Sequence, residues 1–124
     1  MSTTDTTRTT ATLAVLTQAI EARDADTIAA LYAEGATVTL LDRDNPPSRP
    51  LLMSGREAVR DYFRDVCGRN MEHQVRDAVA DQGGLAFTQH CRYPDGNRVV
   101  CAAVATLEDG FIVRQTIVQT WDQG

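Results

Sequence analysis

The sequence predicts a single α+β domain in which helices come first and a curved antiparallel sheet follows. Apolar residues recur with a helical period through most of the first half, and from residue 71 onward they alternate with the period of a strand. Short polar segments at residues 81–84, 94–97 and 108–110 interrupt the second half as hairpin turns do. Helices followed by a strand meander are typical of a sheet with its helices on one face.

Two short helices are predicted first. Leu13, Leu16 and Ile20 recur at helical spacing in the first helix. Asp24 is a suitable cap for the second helix, and Gly35 is expected to end it in the left-handed conformation. The apolar stripe of the second helix consists of Ile28, Leu31 and Tyr32.

One strand, a loop and a third helix are predicted next. Residues 36–41 alternate as a strand with one buried face, and residues 42–50 hold three of the four prolines, which predicts an irregular loop. Ser54 and Glu57 form a capping box that would begin the third helix, and Gly68 can end it.

Four strands are predicted in the meander, at residues 71–80, 85–93, 98–107 and Phe111–Trp121. The third of them, VVCAAVATL, is apolar on both faces, so the helices alone would leave one of its faces uncovered. A homodimer that packs through the sheet is the simplest cover. Helices on the front of a strongly bent sheet also leave space for a small ligand.

Composition excludes several classes of function. The 124 residues include 43% hydrophobic residues, which suits one domain over residues 12–124, and the polar residues 1–11 are expected to form a disordered tail. The net charge of −5 and the absence of a basic cluster argue against a nucleic-acid partner. No signal segment or membrane span is recognisable, so a cytoplasmic protein without a membrane partner is expected. Three cysteines without ligand spacing predict reduced thiols, with no metal and no cofactor.

The chain resembles bacterial ketosteroid isomerase in the order and spacing of several segments. These segments are AIEARDADTIAALYAEGATV, SGREAVRDYF, HQVRDAV with LAFT, and DG-x-IV near the end. The wider group with this resemblance includes SnoaL-like polyketide cyclases, limonene epoxide hydrolase and nuclear transport factor 2. The resemblance implies a cone-shaped α+β barrel with three N-terminal helices, an apolar pocket, and a homodimer through the sheet.

The positions that carry isomerase chemistry in that family are apolar in this sequence. The family tyrosine falls at Leu16, the general-base aspartate at Leu40, and the oxyanion aspartate at Val104, or at Ala103 if the last gap is placed differently. None of these side chains can move a proton or donate a hydrogen bond. The sequence therefore predicts that the protein is not a ketosteroid isomerase.

Asp42 and His73 are the strongest candidates for catalysis. Strand alternation places Asp42 on the pocket side with Leu40, and the resemblance places His73 inward. A carboxylate beside an imidazole makes a competent acid or base. The alternative is that Asp42 is a turn residue and His73 a core histidine.

Other pocket residues follow from strand alternation and from the resemblance. Cys91 is interpreted as packing rather than as a nucleophile, because no basic residue neighbours it along the same face of its strand. The predicted substrate-binding residues are Leu16, Tyr32, Leu40, Tyr62, Phe63, Gln89, Cys91, Val104, Gln115, Ile117, Gln119 and Trp121.

Three functions are compatible with these residues. The first is an acid-base isomerase, cyclase or hydrolase that acts on a polyketide, steroid or terpenoid type of molecule. The second is a non-catalytic domain that binds such a hydrophobic, oxygenated molecule or serves as a dimeric scaffold. The third, a protein-interaction domain, is the least favoured because no large apolar stripe is predicted outside the sheet.

Overall fold

The computed structural model describes residues 10–122, which form three helices and one curved sheet. The elements are α1 (Leu13–Glu21), α2 (Ala25–Ala30), β1 (Tyr32–Leu41), β2 (Leu51–Ser54), α3 (Arg56–Cys67), β3 (Glu72–Ala80), β4 (Gly84–Arg92), β5 (Arg98–Glu108) and β6 (Phe111–Trp121). The strand order in the sheet is β2-β1-β6-β5-β4-β3. The predicted α+β fold class is confirmed.

The N-terminal tail predicted for residues 1–11 falls mostly on residues 1–9, which lie outside the described residues. Ala11 itself is buried in the core, and its amide donates to the carbonyl of Gly110 over 2.7 Å. The packed part of the chain therefore begins at or before Ala11, ahead of the predicted boundary.

The sheet departs from the predicted antiparallel arrangement at one pair of strands. β3 to β6 form the antiparallel meander that the sequence predicted. β1 instead runs parallel to β6, with Leu40 opposite Ile117. This is possible because β2, α3 and the whole meander intervene between the two strands, which leaves a connection long enough for parallel pairing.

The first two helices are capped by side chains. Thr12 Oγ1 accepts a hydrogen bond from the Val15 amide, and Asp24 Oδ1 accepts one from the Thr27 amide, both over 3.2 Å. The role predicted for Gly35 was wrong. The second helix ends five residues earlier, at Ala30, and Gly35 lies inside β1, where the register with β6 shifts.

The capping box predicted at Ser54 was also wrong, because Ser54 belongs to β2. That short strand pairs with β1, with Ser54 opposite Thr37, so its backbone is extended. Gly55 is the N-cap of α3, at a φ of 90° that favours glycine, and among residues 10–122 no side chain caps this helix. β2 was not predicted, because the prolines around residues 46–50 indicate irregular structure. The loop before β2 is present as predicted.

The two faces of β5 have different environments. Val99, Cys101, Ala103 and Ala105 are buried on the side of the helices. Val104 is 62% exposed on the opposite face, so its predicted place in the pocket was wrong. Ala103, the other position considered for the family's oxyanion aspartate, is the one that faces inward.

Candidate functional site

A cavity of about 310 Å³ lies between the helices and the inward face of the sheet. Of the predicted site residues, twelve line it: Leu16, Tyr32, Leu40, Asp42, Tyr62, Phe63, Gln89, Cys91, Gln115, Ile117, Gln119 and Trp121. Val104 and His73 do not. Residues that the prediction omitted include Ile28, Phe87, Val99, Cys101 and Ala103. Most of these side chains are apolar, so the cavity suits a ligand with much hydrocarbon surface.

Tyr32 and Gln115 form a buried pair in the wall of the cavity. The Tyr32 hydroxyl donates a hydrogen bond to Gln115 Oε1. Burial raises the pKa of Tyr32, so the hydroxyl remains protonated. The pair satisfies the Tyr32 hydroxyl proton and engages Gln115 Oε1, so its first role is structural and that oxygen is not free for a ligand.

Tyr62 presents a different situation in the same cavity. Its ring packs edge-on against Phe63, with ring centroids 5.1 Å apart. Burial, followed by the neighbouring Cys101, raises the pKa of the Tyr62 hydroxyl, which therefore stays a neutral donor. Within residues 10–122 this hydroxyl forms no hydrogen bond, so it is available to a ligand.

Asp42 begins a turn over residues 42–45, here called the mouth turn. Its Oδ1 accepts hydrogen bonds over 2.9 Å from the Asp44 amide, the Asn45 amide and the Asn45 side chain. This is the turn role that sequence analysis considered as the alternative. Among the described residues, no hydrogen bond or ion pair joins Asp42 to His73, so the structure does not bring the predicted catalytic pair together.

His73 instead contacts Cys91. The two residues lie directly opposite each other on β3 and β4, and His73 Nδ1 is 3.1 Å from Cys91 Sγ. Gln89 Nε2 lies 3.1 Å from the same ring nitrogen and 3.5 Å from Sγ. His73 is only 8% exposed, and its Nε2 has no hydrogen-bond partner among the described residues.

Cys101 completes what is called here the cysteine cluster: His73, Gln89, Cys91 and Cys101. Hydrogen bonding from Cys101, and then from His73 and Gln89, lowers the pKa of the Cys91 thiol against the opposing effect of burial. The same interaction with Cys91, together with burial, raises the pKa of Cys101. The pKa values of the two neighbouring thiols are therefore shifted in opposite directions, and Cys91 is the one that ionises first.

This cluster was not predicted from the sequence, because a basic neighbour of Cys91 was expected along the same strand. The basic residue comes from the adjacent strand, in the register that pairs His73 with Cys91. Cys101 is likewise opposite Gln89 in the register of β4 and β5. The signal available was the resemblance to ketosteroid isomerase, which had placed both His73 and Cys91 inward and therefore on one side of the sheet.

Aromatic and charged side chains surround the mouth of the cavity. The guanidinium of Arg43 stacks over the ring of Trp121, with 4.4 Å between its Cζ and the ring centroid. Farther inside, Cys101 Sγ is 3.2 Å from Gln119 Oε1, to which its proton can be donated. Since a thiol has one proton, Cys101 donates either to Gln119 or to Cys91.

The family of the chain follows from comparison with known sequences. The sequence profile of the SnoaL-like domain matches residues 13–115, which is most of the chain. The chain belongs to the SnoaL-like family. Among proteins with curated functions, none is significantly similar to this SnoaL-like domain.

Solved structures resemble the SnoaL-like domain in fold. A candidate ketosteroid isomerase from Kribbella flavida is 19% identical, with a TM-score of 0.69, 90% of this chain covered and 75% of the other. An NTF-2 like protein of unknown function from Burkholderia xenovorans is 18% identical, with a TM-score of 0.71, 90% of this chain covered and 80% of the other. IdmH, a candidate polyketide cyclase from Streptomyces antibioticus, is 22% identical, with a TM-score of 0.63, 86% of this chain covered and 88% of the other. At these identities the likeness shows the fold alone.

One further finding concerns membranes. None of the helices within residues 10–122 has both the length and the apolar character needed to cross a bilayer.

Proposed function

We propose that this SnoaL-like domain binds a small hydrophobic, oxygenated molecule of polyketide, steroid or terpenoid type in its cavity. The observation that supports this proposal is the unpartnered Tyr62 hydroxyl in an otherwise largely apolar wall. The hydroxyl is not fully buried, because Arg56 and His73 hold the fully buried, unpartnered side-chain nitrogens within residues 10–122. A ligand carbonyl or ether oxygen would therefore replace water as its acceptor, with a net gain of about 0.5–1.5 kcal/mol. The apolar wall would provide the rest of the affinity through burial of hydrocarbon.

The proposal differs from ketosteroid isomerisation. Leu16, Leu40 and Ala103 occupy the positions that correspond to the family's tyrosine and two aspartates, and all three line the cavity without a polar group. IdmH, which shares the fold, is a candidate polyketide cyclase, and this is the reason to include polyketides among the ligands. Acid-base chemistry by Asp42 together with His73 loses support, because the mouth turn uses the Asp42 carboxylate.

Binding can be measured through Trp121, the only tryptophan of the chain, which lines the cavity. A terpenoid ketone, a steroid ketone and an aromatic polyketide are titrated separately while tryptophan fluorescence is recorded. We expect Ala103→Leu to weaken binding of the best ligand at least about tenfold, because the added methylenes fill the cavity. Ala78→Leu, at an exposed position of β3, is the control of equal volume change.

The oxygen-specific part of the proposal has its own test. Tyr62→Phe should weaken binding of a ketone about threefold to tenfold and leave binding of the matching hydrocarbon unchanged. Equal affinity of wild type and Ala103→Leu for every ligand would place binding outside this cavity. An equal loss for ketone and hydrocarbon would exclude Tyr62 as the donor.

We also propose a homodimer that packs through the outer face of the sheet. Four strongly exposed apolar side chains lie on that face: Leu52, Val79, Val104 and Val118. A second copy would remove them from water, which favours association. Val104→Lys should convert a dimer to a monomer in size-exclusion chromatography with light scattering, while Ala14→Lys, on the exposed side of α1, should not. A monomeric wild-type protein would contradict the proposal.

Cytoplasmic location is the third part of the proposal. Cys67, Cys91 and Cys101 are all free thiols, which is usual in a reducing compartment. Lysis of cells directly into denaturant with a thiol-blocking reagent should label all three, including Cys91 and Cys101, which are buried in the fold. Recovery of a disulfide between any two of them would contradict this location.

A further inference from the structure

The cysteine cluster places its donors around one sulfur atom. His73 Nδ1 and Gln89 Nε2 both lie within hydrogen-bonding distance of Cys91 Sγ, at 3.1 Å and 3.5 Å. Cys91 lines the cavity, whereas His73 does not and lies on the side of Cys91 away from it. A reactive thiol facing the ligand, with a base behind it, is the arrangement of a nucleophile.

We propose that Cys91 adds covalently to α,β-unsaturated carbonyl compounds bound in the cavity, with His73 as the acceptor of its proton and Tyr62 as the donor to the carbonyl oxygen. This inference rests on the proposed function, because the ligand must first bind in the same cavity. It narrows the oxygenated ligands to those whose carbonyl is conjugated to a carbon-carbon double bond.

The Nδ1–Sγ contact serves both protonation states, and proton transfer requires the Gln89 amide to turn from Nδ1 to the sulfur, because two donors cannot face each other. In the neutral state, the Cys91 thiol and the Gln89 amide both point at the lone pair of His73 Nδ1. After proton transfer, Nδ1–H and the Gln89 amide both point at the sulfur, over 3.1 Å and 3.5 Å. The lowered pKa of Cys91 agrees with this arrangement, and the Cys101 thiol stays protonated as a further donor.

The reaction balances without a further reagent. The thiol proton moves to His73 Nδ1, and a sulfur lone pair forms the bond to the β-carbon of the ligand. The π electrons of the double bond shift towards the carbonyl and give an enolate, whose oxygen accepts the Tyr62 hydrogen bond. Water in the cavity protonates the α-carbon, and His73, which faces the outer clefts rather than the cavity, returns its proton to solvent, so that no net proton is taken up or released. The sum is addition of S–H across the double bond, with no change in total oxidation state.

A metal site is a different use for two cysteines and a histidine. Within residues 10–122, no three side chains of the ligand types His, Cys, Asp and Glu are placed to hold one metal ion. The convergence on a single sulfur therefore favours nucleophilic chemistry.

The test uses the full chain and 2-cyclohexen-1-one, with intact-mass spectrometry and peptide mapping. We expect one adduct per chain at Cys91, formed at the same rate in Cys67→Ser and lost in Cys91→Ser. Cys67 is partly exposed and burial raises the pKa of its thiol, so it is the internal control for an ordinary cysteine. Modification of Cys67 ahead of Cys91 would overturn the proposal.

Two variants separate the roles of His73 and Tyr62. His73→Asn should slow adduct formation at pH 7 about tenfold and make the rate rise with pH as for an ordinary thiol, whereas the wild-type rate should be nearly flat. Tyr62→Phe should slow the reaction with the enone about tenfold to a hundredfold but leave alkylation of Cys91 by iodoacetamide within about twofold. An unchanged pH profile in His73→Asn would exclude His73 as the acceptor of the Cys91 proton. An equal effect of Tyr62→Phe on both reagents would remove the proposed donor.

Cyclohexanone distinguishes failure of this chemistry from failure of binding, because it lacks the reactive double bond. Protection of Cys91 from iodoacetamide by cyclohexanone, without any adduct from the enone, would overturn the covalent step and leave the binding proposal intact. Lack of protection together with lack of adduct would contradict both.

Discussion

The mouth turn and the cysteine cluster are two polar regions of one cavity, and they differ in what their polar atoms are engaged with. At the mouth, Asp42 Oδ1 accepts three hydrogen bonds from the chain that immediately follows it. In the cluster, His73 of β3 and Gln89 of β4 meet at Cys91 Sγ. The Asp42 carboxylate is engaged by its own turn and contributes to the fold, whereas the Cys91 thiol is held by side chains and also lines the cavity.

The largest expected difference between the regions is a pH dependence of stability from Cys91. The groups that face it are His73 from β3, Cys101 from β5 and Tyr62 from α3, with Gln89 on its own strand. Because the pKa of Cys91 is lowered in the folded state, the unfolded chain binds more protons below about pH 9, and stability rises with pH at up to about 1.4 kcal/mol per unit.

Urea unfolding of wild type and Cys91→Ser at pH 6, 7 and 8 measures this effect. The difference in the free energy of unfolding between wild type and the variant should increase by ~2 kcal/mol from pH 6 to pH 8. This increase should disappear as the pH falls through the folded-state pKa of Cys91. Parallel pH profiles would show that the Cys91 proton stays on the protein, either on the thiol or on His73.

A smaller effect is expected at the mouth turn. Asp42→Ala removes the acceptor of three donors at a partly exposed turn and should lower the free energy of unfolding by about 1 kcal/mol. The neighbouring Asp44→Ala is the control, because its carboxylate accepts no hydrogen bond from the described residues. The rate of Cys91 alkylation should change less than about twofold in both variants, and a larger change in Asp42→Ala would couple the two regions.

The smallest expected effect comes from Arg43. Arg43→Ala removes the cation stacked on Trp121 and should lower the free energy of unfolding by about 0.5 kcal/mol, with a shift in tryptophan emission. Arg49→Ala, in the same loop and exposed, should leave the emission unchanged. The same emission spectrum in all three proteins would show that the stacking is not maintained in solution.

Local signals in the sequence account for most of the correct predictions. The apolar period identified α1, and Asp24 identified the start of α2, because a capping carboxylate acts within one turn of helix. Polar turns separated the meander strands, and β6 was predicted at its observed bounds. The prediction was wrong where two local signals competed. Prolines indicated a loop next to β2, and Ser54 indicated a helix start next to Gly55, but pairing with β1 decided the conformation of this segment.

The sequence by itself determined the α+β class, because helical and strand periods are local signals. Its resemblance to ketosteroid isomerase, together with alternation along single strands, predicted most of the cavity wall and placed Leu16 and Leu40 where that family has catalytic residues. Only the tertiary structure decided which inward-facing groups meet. The register between strands placed His73 opposite Cys91. It also placed Ala103, rather than Val104, at the cavity. The reason is physical: hydrogen bonds between strands are set by the whole sheet and its turns, and no single segment encodes them.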